Sequence, residues 1–265
     1  MVRILLVAAH KPMVNALVEA ALAAGLDPQG IDLTPFAVTR AVGTGDEGLD
    51  LDSSGDEAIV DMGAQVTSIC VHDRGVTRFV RMLPSGGRDI TRALASGLGV
   101  DDEVAERLKR GERFGGIADP APAVESPTDE APAVQLPPPV DTPPTDNMPV
   151  EAPRGFPGVL SDPAEVRDLA LSRARSFVDE VRSSLEFYTA QMPNASIGRV
   201  LVVGGGSRLG GLLELLQERL PVPVDRGRLF ERAKSEIELS AEASAQAEAV
   251  LSVAVGLGIP ARRNP

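Results

Sequence analysis

The stretch Val200-Leu201-Val202-Val203-Gly204-Gly205-Gly206-Ser207-Arg208-Leu209-Gly210-Gly211, followed by Leu212 to Leu220, decides how this chain is read. Four apolar, mostly β-branched residues predict a short buried strand. Three consecutive glycines let the backbone take positive φ and approach another group closely. Ser207 is placed to cap a following helix, in which Leu209, Leu212, Leu213, Leu216 and Leu220 fall at helical spacing. A strand, a glycine turn and a helix N-terminus together make a seat for a phosphate. The same stretch would also serve as a tight βα turn with no ligand, so the choice falls to the rest of the chain.

Toward the C-terminus, Val222-Pro223-Val224 predicts a short edge strand, because proline cannot donate to a ladder. Glu242 to Leu257 predicts one alanine-rich helix with Ala247, Val250, Leu251, Ala254 and Val255 as its buried stripe. Toward the N-terminus, Asp162-Pro163-Ala164-Glu165 sets an N-cap, an N1 proline and a capping-box carboxylate in register. Val166, Leu169, Ala170, Phe177, Val178, Val181, Leu185 and Tyr188 then keep helical spacing until Met192-Pro193. Before that helix, Ala118 to Gly158 is dense in Pro, Glu, Asp, Ser and Thr. It cannot bury enough apolar surface to offset its ordering entropy, so it is expected to be a disordered, solvated spacer.

Glu57 to Leu83 predicts three antiparallel strands, with bends at Met62-Gly63-Ala64-Gln65 and Asp73-Arg74-Gly75. Helices are expected over Asp89–Leu98 and Asp101–Arg110. The opening reads as a buried strand over Val2–Ala9 and a helix over Lys11–Ala24, with Val14, Leu17, Val18, Ala21 and Leu22 on its inner face. A short strand over Gln29–Leu33, a helix over Pro35–Val42 and a loop over Gly43–Gly55 follow.

Composition narrows the function classes. A formal net charge of −12 and the absence of a basic cluster argue against nucleic acid as a partner. The single cysteine, Cys70, excludes an internal disulfide framework and, ending an apolar run, reads as a buried structural thiol. Two histidines are too few for a His-rich metal site. No stretch approaches the length of a membrane span, and these features together predict a cytoplasmic protein.

Three pieces carry the candidate chemistry. In Asp61-Met62-Gly63-Ala64-Gln65-Val66-Thr67, Gly63 would free the bend to approach a phosphate while Asp61 holds Mg²⁺ through water. An ordinary β-turn uses the same residue types. Glu106 and Lys109 lie three apart, on one helix face, suited to ribose hydroxyls and an adenine or equally to a plain solvated ion pair. The third piece is the triglycine turn.

The order of these pieces resembles a known family. The hairpin at Asp61 leads to Gly86-Gly87-Arg88-Asp89-Ile90-Thr91, then to Ala105-Glu106-Arg107-Leu108-Lys109. The capped helix, the glycine turn and a terminal Ala254-Val255-Gly256-Leu257 come after. This set resembles the actin-like ATPase superfamily of actin, the Hsp70 chaperones, FtsA and MreB, and within it the PilM family of type IV pilus assembly proteins. Val2–Ala9, Ala24-Gly25-Leu26 and Ile31-Asp32-Leu33 through Arg40-Ala41 resemble the middle of that family's sequence.

The resemblance implies an α/β fold, the actin-like (ribonuclease H-like) ATPase fold, with mixed sheets flanked by helices and an N-terminal part truncated. It divides the chain into a remnant of the first subdomain (1–56), the second subdomain in two parts (57–117 and 159–246) around the insert (118–158), and a C-terminal helix and tail (247–265). It implies ATP and Mg²⁺ as cofactors. Asp61, Gly63, Ala64, Gln65 and Thr67 would form the second phosphate loop, with Asp61 and Gln65 the candidate catalytic pair and Asp61 the metal carboxylate. Glu106 and Lys109 would flank the adenosine, and Gly204, Gly205, Gly206, Ser207 and Leu209 would form the adenosine turn. A first phosphate loop has no match here, so ATP binding is expected to be weak and the chain at most a slow ATPase. The function implied is a scaffold of the type IV pilus, or related type II secretion, assembly platform. It would sit at the inner face of the cytoplasmic membrane by docking to the cytoplasmic tail of a PilN-type protein, with self-association into a homo-oligomer left open. An FtsA-like cell-division protein or another actin-superfamily ATPase or kinase is the alternative. The tail Gly258–Pro265 is too short and proline-rich for a membrane-binding helix.

Overall fold

A computed structural model describes residues 6–43, 55–111, 163–192, 194–231, 233, 236 and 238–260. The Pro-rich segment, Asp162 with its expected cap, and most of the 43–55 loop lie outside the described residues.

The framework is one five-stranded mixed sheet. Its strands are β1 (Asp56–Met62), β2 (Thr67–Asp73), β3 (Val76–Leu83), β4 (Ile197–Val203) and β5 (Val224–Arg226), in the order β3-β2-β1-β4-β5. The first three form the expected antiparallel meander, while β1–β4 and β4–β5 pair parallel. Parallel pairing needs a crossover: the chain between β3 and β4 completes the one from β1 to β4, and the segment carrying residues 212–219 supplies the one from β4 to β5. The helices are α1 (Lys11–Ala23), α2 (Thr34–Val42), α3 (Gly87–Leu98), α4 (Asp102–Lys109), α5 (Pro163–Gln191), α6 (Leu212–Arg219), α7 (Ala241–Val250) and α8 (Ser252–Gly258).

Alternation along the central strands buries both faces. Ala58, Val60, Met62, Val200 and Val202 join Leu94 of α3, Ala105 of α4, Val178 and Val181 of α5 and Leu212 and Leu216 of α6 in the larger core. Ile59, Leu201 and Val203 face the other way and meet Val38, Ala41 and Val42 of α2 with Leu229. Strands covered on both sides read as near-continuous apolar runs, which is why 200–203 was legible. On the α2 side Cys70 is buried beside Thr39, 3.3 Å from its hydroxyl, as a structural thiol. At that sheet's far end the Glu57 carboxylate is 2.5 Å from Arg199 and 3.0 Å from His72 Nε2, a partnered buried charge.

Four local expectations change. Residues 6–9 are irregular and exposed, and 29–33 are irregular with only Leu33 half-buried, because no described strand offers either a ladder to join. The helix α1 forms, but none of its residues is buried, and Leu17 is 68% exposed. The terminal helix is two helices that break at Leu251. The pair buries Ala249, Ser252 and Gly256, whereas Val250 and Leu251 are exposed. Gly256 faces α2 because a Cβ there would overlap the Ala37 carbonyl, and Arg40 donates to the carbonyls of Gly256 (3.1 Å) and Ile259 (3.0 Å) at the end of α8. Finally, Ser207 caps no helix. Gly205–Arg208 forms a 3-10 turn, and α6 starts only at Leu212 behind Gly211 at φ 86°.

Candidate functional site

The site follows from the pairing of β1 with β4. Asp61 stands opposite Val203, so the hairpin after β1 and the glycine turn after β4 leave the sheet side by side at one edge. Their backbones then press together. Gly204 has φ 84°, and a Cβ on it would run into the Asp61 carboxylate and lie 2.6 Å from the Met62 carbonyl. A Cβ on Gly206 would lie 2.5 Å from Met62 Cγ. Neither position admits a side chain. The middle glycine, Gly205, has open space where a Cβ would go.

The hairpin is held from its other flank by the start of α3. Gly63 N–H closes the bend on the Val66 carbonyl at 3.1 Å. The Gly63 and Ala64 carbonyls accept from the N–H groups of Gly87 (2.9 Å) and Arg88 (2.7 Å). Gly86 is the only residue type that fits above them, since its Cβ would sit 2.6 Å from the Gly63 carbonyl. Thr67 is buried, and its hydroxyl donates to the Ser85 carbonyl at 2.8 Å. The apex Ala64-Gln65 remains exposed. The bend is therefore rigid at its base and accessible at its tip.

A polar cluster connects α3 to α4. Lys109 Nζ donates to Glu106 Oε2 (2.5 Å), the Thr91 hydroxyl (2.8 Å) and the Gly87 carbonyl (3.1 Å), which uses all three ammonium protons. Thr91 also lies 2.6 Å from Glu106 Oε2. A Cβ placed on Gly87 would be 3.5 Å from Lys109 Nζ and 3.8 Å from Gly206 Cα, so hairpin, α3, α4 and glycine turn meet at Gly87.

Electrostatics separate the two carboxylates. Burial pushes the Asp61 carboxyl above its ordinary range. Burial also works to raise Glu106, but hydrogen bonds from Lys109 and Thr91 and the Lys109 charge outweigh it and hold the carboxyl low. A divalent cation beside Asp61 would restore its ionised form, which suits a group that takes Mg²⁺ through water. Among the described residues, no three His, Cys, Asp or Glu side chains gather into a metal cage.

The residues named from sequence thus fall into two sets. Asp61, Gly63, Ala64, Gln65, Glu106, Lys109, Gly204, Gly205 and Gly206 line or border the junction. Thr67, Ser207 and Leu209 support it from behind: Ser207 Oγ is buried and donates to the Gly204 carbonyl at 2.7 Å, and Leu209 lies in the larger core. Sequence reasoning left Gly86, Gly87 and Thr91 out of the site although their motif was visible. It also missed a cleft of about 220 Å³ beyond the glycine turn, bordered by Arg208, Arg226, Gly227, Ala245 and Glu248. That cleft opens outside the carboxyl ends of parallel β4 and β5, where open α/β sheets bind ligands. Two arginines near a glycine turn were its only signal in the sequence.

This architecture is the actin-like ATPase fold. The chain is similar to the PilM structure of a PilM–PilN type IV pilus biogenesis complex (TM-score 0.62, 23% identity, 92% of this chain and 56% of that one). It is also similar to the ethanolamine utilization protein EutJ from Carboxydothermus hydrogenoformans (TM-score 0.56, 16% identity, 94% and 61%). MreB5 of Spiroplasma citri bound to ADP is a third such structure (TM-score 0.55, 14% identity, 94% and 65%). In sequence, the profile of cell division protein FtsA matches residues 58–249, and the chain belongs to that family. Over 105 residues it is 30% identical to FtsA of Bacillus subtilis (strain 168), a span of 40% of this chain and 23% of that protein. The chain therefore spans under a quarter of that relative and little more than half of the structural neighbours. No described helix is long and apolar enough to cross a membrane.

Proposed function

We propose that this chain is a nucleotide-responsive scaffold of the PilM kind, cytoplasmic, docking to the cytoplasmic tail of a PilN-type inner-membrane protein in a type IV pilus or related secretion platform. The observation that carries the reading is the junction at Gly87, where hairpin, Glu106–Lys109 pair and triglycine turn meet within a fold similar to that of the PilM–PilN complex over 92% of this chain and 56% of that one. The backbone at Gly63–Gln65 and Gly205 would face the phosphates, Asp61 would hold Mg²⁺, and Glu106 with the Lys109 stem would border the ribose and base. Bound ATP would supply phosphate charge for these backbone N–H groups and for Mg²⁺. Gln65 and Asp61 would orient a water, and that pair without a further base would turn over slowly.

A second reading, an FtsA-like cell-division protein, is favoured by the family profile over residues 58–249. The two share the nucleotide site and differ in partner.

The test is a titration of fluorescent ATP analogue with Mg²⁺, repeated with Gly205→Val, paired with a titration of a PilN-type cytoplasmic peptide. Among the described residues one glycine hairpin, at Gly63, would face the phosphates. Without two or three further charge-assisted N–H bonds of about 1.5–3 kcal/mol each, the dissociation constant is expected in the millimolar range. Gly205→Val should abolish what binding remains. Unchanged binding in that variant would refute the site, and absence of peptide binding would favour the cell-division reading.

A further inference from the structure

β3 is the outer strand of the sheet, and the row of backbone groups on its far side makes no hydrogen bond to other described residues. Soluble proteins usually shorten, bulge or charge such an edge. Here the defence covers one half. The register slips at Arg78, which is skipped in the ladder and tied to Asp73 at 2.8 Å. From Phe79 to Leu83 the ladder to β2 is regular, from Phe79 opposite Val71 to Leu83 opposite Thr67. This five-residue run is only partly covered: Met82 is 61% exposed, and Phe79 is half-buried against Phe187 of α5, itself exposed, with ring centroids 6.2 Å apart.

We propose that Phe79–Leu83 is a docking edge for an extended acidic segment of another protein, which adds as a sixth strand with a carboxylate opposite Arg81. The mode is strand addition: main-chain bonds supply affinity and alternate side chains supply selection. Arg81 lies at the centre of the run, is exposed, and its side chain has no partner among the described residues. That position rejects a second copy of this chain. Antiparallel self-pairing of Phe79–Leu83 in full overlap sets Arg81 against Arg81, and like charges directly opposite are destabilising. An acidic residue at the same place is favoured, while Phe79, Phe187 and Met82 offer apolar contact on either side.

The test uses the intact chain and two seven-residue peptides of alternating threonine and valine, one with a central glutamate and one with a central lysine. Amide hydrogen exchange is followed across β3 with each peptide, for the wild type and for Arg81→Glu. The glutamate peptide should slow exchange at 79–83 at least fivefold and the lysine peptide should not, and Arg81→Glu should exchange the two preferences. Because Arg81 is exposed and makes no ion pair with the described residues, the variant is expected to fold, and Arg81→Gln, which should lose both preferences, stands in if it does not. Equal protection by both peptides, protection by neither, or an unswapped preference would overturn the proposal. Protection that rises with protein concentration alone would assign the edge to self-pairing instead.

Discussion

Helices α1 and α5 carry the same kind of apolar spacing and meet opposite fates. On α5 the periodic positions Val166, Ala170, Phe177, Val178, Val181, Leu185 and Tyr188 are buried against the sheet and its neighbours, and Leu169 is half-buried beside them. On α1, Val14, Val18 and Ala21 are half-buried at most, and Met13, Leu17 and Leu22 are exposed. Spacing defines a face; a neighbouring surface is needed to bury it. The glycine junction is the extreme of the first kind, with backbone set on backbone, and residues 6–31 are the extreme of the second.

The largest break in that contrast comes from the junction itself. Gly204→Val would place a β-branched residue at φ 84° with its Cβ inside the Asp61 carboxylate and against the Met62 carbonyl. The Met62 carbonyl is strand backbone and cannot retreat, and the Asp61 carboxylate is a short side chain on the same buried strand with little room to turn away. The expected loss is about 4 kcal/mol or more, enough to unfold a domain of ordinary stability. Circular dichroism with urea titration measures it. A midpoint within error of the wild type would mean that the turn is not seated on the hairpin.

A smaller effect tests the α3–α4 cluster. The Glu106 carboxyl is held below its unfolded value, so it contributes stability that is present above the unfolded pKa, near 4.3. That contribution disappears as pH falls through the lower folded value. Glu106→Gln should therefore remove part of the acid limb of the stability profile below about pH 5 and leave its shape between pH 6 and 8 unaltered. Asp61 works in the opposite sense: burial disfavours its charge, so protonation on acidification relieves the folded state. Melting temperatures from pH 3 to 8 separate the two. An acid limb identical in the variant would show that the Lys109 and Thr91 contacts do not persist in solution.

Much of this was legible because local chemistry and global placement agree. The run Val200–Val203, the Gly63 and Gly75 turns and the long stripe of α5 all behave as their residue types direct. What was not legible depended on contacts. Ser207 has the chemistry of an N-cap, yet the glycines before it close a 3-10 turn and its hydroxyl turns back to Gly204 at 2.7 Å. Residues 242–257 read as one helix because alanine favours continuation. The chain instead breaks at Leu251, and the close seat of Gly256 on Ala37 decides which side faces in. Lys109 was visible as a surface cation at i,i+3 from Glu106. Its bonds to Thr91 and Gly87 span 18 and 22 residues, beyond what spacing can announce.

The smallest expected effect sharpens the opening contrast most. Leu17 and Leu216 are both leucines on the apolar face of a helix, one 68% exposed and the other fully buried. Replacing Leu216 with alanine removes a packed side chain and leaves a cavity, for a cost of about 2–5 kcal/mol. Replacing Leu17 with serine removes a side chain that already meets water. Only the difference in helix propensity remains, a few tenths of a kcal/mol. Leu17→Ser is therefore expected to shift the unfolding free energy by less than about 0.5 kcal/mol, as at an ordinary surface position. Urea titrations of both variants beside the wild type give the comparison directly. If Leu17→Ser costs more than about 1 kcal/mol, burial is the only term large enough to account for it. The face of α1 would then be covered in solution, and the difference between α1 and α5 would be one of partner rather than of kind.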